Sequence, residues 1–155
     1  MRKEIVGILL FFLVIFSLIS LLSHSPADPS IHNATAGGEI HNLFGMLGAH
    51  VSGILLGFFG LGAFWIPILL LLSSIHFFGS HSREAMIYTV SGGILLILTT
   101  GSLLTITASP DNHFMIMGTR FSSGGLIGIP LKSFVVRYAS PMGGTIIFFL
   151  LWIVG

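Results

Sequence analysis

The sequence predicts an all-α integral membrane protein, a four-helix transmembrane bundle with an interfacial or re-entrant glycine-rich segment. Three observations predict it. Hydrophobic residues make up 54% of the 155 positions and charged residues only 7%, whereas soluble domains carry about 25% charged residues. The mean hydropathy is +1.02. The apolar residues also come in long runs parted by short polar links that hold proline or glycine. Composition excludes other classes as well. No cysteine is present, so the chain holds no disulfide framework, thiolate metal site or cysteine nucleophile. The six basic residues, Arg2, Lys3, Arg83, Arg120, Lys132 and Arg137, are scattered and build no clustered nucleic-acid surface.

The first apolar run, Ile5 to Leu22, has 18 residues and no charge. At about 1.5 Å per residue it reaches roughly 27 Å, near the hydrocarbon thickness of about 30 Å. A secretory signal is the rival reading, because Arg2 and Lys3 precede the run and small serines follow it. The run is longer than a signal peptide's apolar region, however, and Pro26 would sit just after the cleaved bond. An uncleaved anchor is therefore predicted. The run stops at LLSHSPADPS (residues 21–30). Each proline drives the residue before it toward extended backbone, so Pro26, Asp28 and Pro29 form a helix stop and interfacial turn. With no nucleophile or second carboxylate beside them, His24 and Asp28 read as parts of a solvated turn and not as a catalytic corner.

Residues 31–42 are polar but contain no lysine or arginine, the composition of an outside loop. His24, His32 and His41 share this region at spacings of eight and nine, which match no helical or finger-like metal pattern. Leu43 to Phe78 is then apolar for 36 residues, about 54 Å as helix and too long for one span. Either two tight spans or an interfacial stretch leading into one span would fit, and a span near 56–78 is the expectation. Gly45, Ala49, Gly53 and Gly57 recur every fourth residue and form a candidate helix-contact face, within the chain or between subunits. Pro67 is expected to kink its span without ending it.

The polar link GSHSRE (79–84) precedes a span near 85–108. Its Thr89, Ser91, Thr99, Thr100, Ser102, Thr105 and Thr107 can bond back to carbonyls of the preceding turn and need not line a pore. Ser109 to Asn112 reads as a turn. The glycine-rich loop SSGGLIGIPL (122–131), with Gly124, Gly125 and Gly128, lacks the Gly-Lys-Ser/Thr of a phosphate loop. The last run, 142–155, is too short to span at 14 residues, which predicts a truncated fourth span. An inside N-terminus places Arg120, Lys132 and Arg137 on the outside, so the charge rule scores three against three. The first helix and the base-free 24–42 loop decide for the inside, and a segment at 122–136 lying at the headgroups would accommodate the basic residues.

Four pieces of the sequence carry a family resemblance: the post-helix corner Ser25 to Ser30, the NLxGxxGA element at Asn42 to Ala49, the GGxIG loop at Gly124 to Gly128, and the GGTI entry to the last helix at Gly143 to Ile146. In this order they resemble the N-terminal four-helix membrane domain of the FtsK/SpoIIIE DNA translocases. The resemblance implies a transmembrane anchor domain over 1–155 with both ends cytoplasmic, in the bacterial inner membrane at the division septum. It also implies a homo-oligomer, hexameric in the family, other division proteins as partners, and contact with DNA only through a motor reached by a cytoplasmic linker. Neither lysine, Lys3 or Lys132, follows a GxxxxG pattern, so no catalytic, cofactor or metal residues are expected in this chain, and ATP and Mg belong to the motor. A small transporter or channel is the alternative. It would place an ionisable residue inside a span, where only His50 and His76 are available.

Overall fold

The computed structural model describes residues 2–29, 39–79, 83–107, 113–116 and 119–155. His32, the link at 80–82 and the turn at 109–112 lie outside the described residues. Helix α1 spans Arg2–Leu22. It exposes Ile5, Ile8 and Phe12 and buries Val14, Ser17 and Leu21, a helical spacing that turns one stripe to the protein and leaves the rest for lipid. The helix ends where expected: Ser23 N–H still bonds the Ile19 carbonyl, and the chain then turns through Ser25 to Asp28.

Helix α2 spans Gly45–Phe59, a 3-10 stretch follows over Gly60–Phe64, and α3 spans Trp65–Phe78. The long apolar run is thus broken at Gly60, whose φ of 57° and ψ of −139° are open to glycine at little cost. Pro67 lies in the first turn of α3, directly after the 3-10 stretch, a place in a helix where proline is tolerated. Helix α3 packs along α1, with Ser74 Oγ donating to the Gly7 carbonyl at 2.9 Å. Leu21, Leu56 and Ala63 form one buried cluster, so the break stands beside the C-terminal end of α1.

Helix α4 spans Arg83–Thr107. A two-stranded antiparallel hairpin, β1 His113–Ile116 and β2 Thr119–Ser122, pairs Phe114 with Phe121 and is an addition to the all-helical bundle that the sequence did not announce. Helix α5 spans Gly125–Val154 with a sharp kink at Ser140. The segment expected as a glycine-rich loop is therefore the start of a helix. Four helical stretches, Glu4–Leu22, Gly45–Phe78, Glu84–Thr107 and Gly125–Val154, are long and apolar enough to cross a membrane. Lys132 and Arg137 fall on α5 before its kink, and the last apolar run begins directly after it.

Candidate functional site

Two constructions organise the bundle. The first closes the loop between α1 and α2. Asp28 is 2% exposed, so it is not the solvated turn residue the sequence suggests. The backbone N–H groups of His41 and Asn42 donate to Oδ1 and Oδ2 at 2.8 and 2.9 Å, and His41 Nδ1 reaches Oδ1 at 3.1 Å. A carboxylate with two oxygens can hold two successive N–H groups at once, which is what returns the chain to the end of α1. Asn42 completes the closure. Its Nδ2 donates to the carbonyls of Ser20 at 2.8 Å and Ser23 at 3.4 Å, capping α1, while its Oδ1 accepts Phe44 N–H at 3.1 Å. Ser23 Oγ accepts Leu43 N–H at 3.1 Å. Pro26 is exposed and Pro29 half-buried at the rim. His24 Nδ1 lies 3.1 Å from Ser52 Oγ. Burial pushes its pKa below the ordinary 6.5, and the nearby Asp28 charge opposes that shift.

The second construction is a hub of glycines where α2, α4 and α5 meet. Gly125 opens α5 at φ 58°, and a Cβ there would stand 2.7 Å from Gly57 O, Phe58 C and Gly60 N. Both the conformation and the space demand glycine. Gly124 lies against the Gly101 carbonyl, and Gly128 against the backbone of Gly101 and Ser102. The approach is tied by Leu61 N–H to the Ser123 carbonyl at 3.3 Å and by Thr105 Oγ1 to Ser123 Oγ at 3.1 Å. Bare backbones packed this closely are how helices gain contact in lipid, where apolar burial offers little.

The small-residue stripe divides between these places. Ala49 and Gly53 are buried together with Gly48, Ser52 and Leu56, so the buried face of α2 is centred to one side of the strict four-residue row. Gly57 presents its carbonyl to Gly125, whereas a Cβ on Gly45 would meet nothing within 4 Å among the described residues. On α4, Thr99, Ser102 and Thr105 bond back to carbonyls four residues earlier. Thr100 departs from that expectation: its Oγ1 accepts Trp65 Nε1–H at 2.9 Å and Trp152 Nε1–H at 3.1 Å, joining three helices. The sequence offered no signal for that node, since the partners lie 35 and 52 residues away. Asn42 was within reach, because it heads the NLxGxxGA element. His50 and His76 bond the carbonyls of Met46 and Leu72 on their own helices, and among the described residues no three His, Cys, Asp or Glu gather as for a metal ion.

Asn42, Gly48, Gly124, Gly125 and Gly128, the residues that close the loop and form the hub, are those of the quoted sequence elements. Residues 1–155 match the family described as the 4TM region of DNA translocase FtsK/SpoIIIE. A DNA translocase FtsK of Vibrio vulnificus (strain CMCP6) is 34% identical over 137 residues, covering 88% of this chain and 14% of that relative. Those of Pseudomonas aeruginosa (strain PAO1) and Rickettsia bellii (strain RML369-C) are 30% and 25% identical, over 99% and 96% of the chain and 19% of each relative. The chain thus spans less than a fifth of the length of these relatives. No solved structure matches it. With four membrane-length helices in the matched order and the match running from end to end, the chain belongs to the FtsK/SpoIIIE family and corresponds to its four-helix membrane region, not to its motor.

Proposed function

We propose that this multi-pass domain is the membrane anchor and self-association module of a septal DNA translocase acting in cell division and chromosome segregation. The observation that carries the reading is the match of the whole chain to the 4TM region of DNA translocases. In this reading the bundle holds a cytoplasmic motor at the inner membrane, the motor supplies ATP and Mg chemistry and the contact with DNA, and several copies, six by family resemblance, assemble with other division proteins.

Both chain ends lie in the cytoplasm in this reading, with spans near 5–22, 56–78, 85–108 and from 142 onward. The domain fused to a fluorescent protein is expected to collect at the division septum. Compartment reporters placed after Asn33 and after Gly79 are expected to give opposite answers. Uniform peripheral fluorescence would remove the septal role, and identical reporter compartments would remove the topology.

A further inference from the structure

The two halves of the chain repeat one another. Among the described residues four have a positive φ, and they form two pairs 80 positions apart. Gly45 at 60° and Gly125 at 58° each open a helix after a loop; Gly60 at 57° and Ser140 at 62° each break that helix into an apolar successor. The sequence follows suit, GMLG at 45–48 against GLIG at 125–128. The preceding long helices carry SLISLLS at 17–23 and TTGSLLT at 99–105. Their hydroxyls are buried alike: Ser17 is 5% and Thr99 1% exposed, and Ser20 and Ser102 are both 0%. Ser17 and Thr99 even bond back identically, to Leu13 O and Leu95 O at 2.7 Å. Each half is therefore one unit of long helix, loop, short helix, break and final helix, consistent with parallel repeats about an axis along the membrane normal.

The contact between the units is one-sided. A two-fold pair would make each contact twice, once in each direction. Here the start of the second unit, Gly125, sits on the break of the first, at Gly57 to Gly60, but among the described residues the reciprocal contact is missing: a Cβ on Gly45 would meet nothing within 4 Å. At the second break, Tyr138 is 75% exposed and Ser140 is exposed. The helix packing agrees: α3 packs on α4, whereas among the described residues the equivalent pair, α5 and α1, shows no comparable packing. A head-to-tail contact leaves one unused half at each end. The half on the first unit is the start of α2, where Met46 and Leu47 are 60% and 66% exposed. The half on the second is an apolar groove of about 320 Å³ lined by Phe134, Val135, Tyr138, Ala139 and Ile147, beside the break.

We propose that these two surfaces are partners in different copies of the chain: the start of α2 of one copy seats against the groove and break of α5 in the next, repeating between chains the contact that already exists within each. The occupant is a second copy because Tyr138, in the groove, and Ser140, at the break, stand where the first unit has Phe58 and Gly60, the residues that the start of α5 covers within the chain. Arg137 stands where the first unit has Gly57, so the contact between chains carries a cationic edge that the internal one lacks. The repeat is directional and closes into a ring or runs on as a row, depending on its rotation.

This inference rests on the proposed self-association and names its surfaces. The chain has no cysteine, so Met46→Cys and Tyr138→Cys, both exposed positions, place thiols in otherwise thiol-free protein. The two variants, carried on differently tagged chains and co-expressed in bacterial membranes, are treated with a short bismaleimide. The expected result is a Met46→Cys to Tyr138→Cys dimer several-fold more abundant than dimers of either variant with itself, and a ladder when one chain carries both. Equally strong self-crosslinking of either variant would mean a symmetric contact and overturn the proposal. Oligomers seen by mass in native nanodiscs without the mixed product would overturn these surfaces and leave self-association standing. A monomer by mass would overturn both.

Discussion

The two halves of the chain share one order of helices and breaks and hold it by different means. The first half breaks at Gly60, a residue that takes a positive φ freely, and the break is covered by Gly125 from the second half. The second half breaks at Ser140, exposed, with φ 62° and ψ 167°, a region nearly confined to glycine. Local chemistry replaces cover there: Pro141 supplies a first helical residue with no N–H to lose, and Gly143 N–H points to Ser140 Oγ at 3.4 Å. The loops differ in the same way. The first is gathered by the buried Asp28, whereas the second returns through the hairpin and is tied by Thr105 and Ser123. A turn can thus be dictated by its own residues or imposed by what packs on it, and the two cases respond differently to substitution.

The largest effect is expected from paired changes at the two helix starts. Gly125→Ala meets both an unfavourable φ and three backbone atoms at 2.7 Å, for a loss on the order of 3 kcal/mol when left-handed strain and overpacking are combined. Gly45→Ala has the same φ and open space, so only the strain of about 1–2 kcal/mol applies. Unfolding of both variants in detergent micelles measures the difference, and equal losses would deny that the second start is held by packing. Next comes Asp28→Asn. An amide offers one accepting oxygen where the carboxylate serves the N–H groups of His41 and Asn42, and an unsatisfied buried donor costs about 1–3 kcal/mol. Faster proteolysis between residues 29 and 41 with the rest of the bundle intact is the expected signature, and wild-type protection would return Asp28 to the role of a solvated turn residue.

Ser140→Gly sharpens the contrast between the breaks by raising stability, since relief of about 1–3 kcal/mol of strain outweighs a lost cap of a few tenths. The corresponding Gly60→Ser is expected to be destabilising. The smallest effect concerns pH. Burial holds the pKa of His24 below 6.5, so the unfolded chain takes up this proton more readily than the folded one. The contribution is intact above pH 6.5 and is lost as pH falls through the folded value, which lowers stability in acid. His24→Gln is expected to flatten that part of the pH profile, and an unchanged acid limb would assign it to other groups.

Much of this arrangement was legible in the chain's residues. Apolar run lengths announced four spans, although the fourth was expected only from 142 and its helix starts at Gly125, and the two prolines announced the end of α1, because backbone hydrogen bonding in lipid leaves few alternatives to helix. The glycine-bearing elements at 42–49 and 124–128 carried the family resemblance, while the helix-contact face was expected on Gly45, Ala49, Gly53 and Gly57. The glycine-rich stretch nonetheless read as a loop, because the same residues serve a loop and a helix start seated tightly on another backbone. The repeat was also present, as GMLG with GLIG and SLISLLS with TTGSLLT. So few identities are needed to keep an apolar helix apolar that only the paired φ values bring the period out.

The sequence by itself determined the solvent of this protein, the number of its long helices and its family, because these depend on composition, run length and the order of short motifs. Tertiary structure alone decided that Asp28 is buried, that Thr100 joins Trp65 to Trp152, and that one helix break is covered while its counterpart stands open. Those are properties of residues far apart along the chain. In an apolar environment, where almost every side chain is alike in polarity, shape and hydrogen-bond geometry select which of them meet.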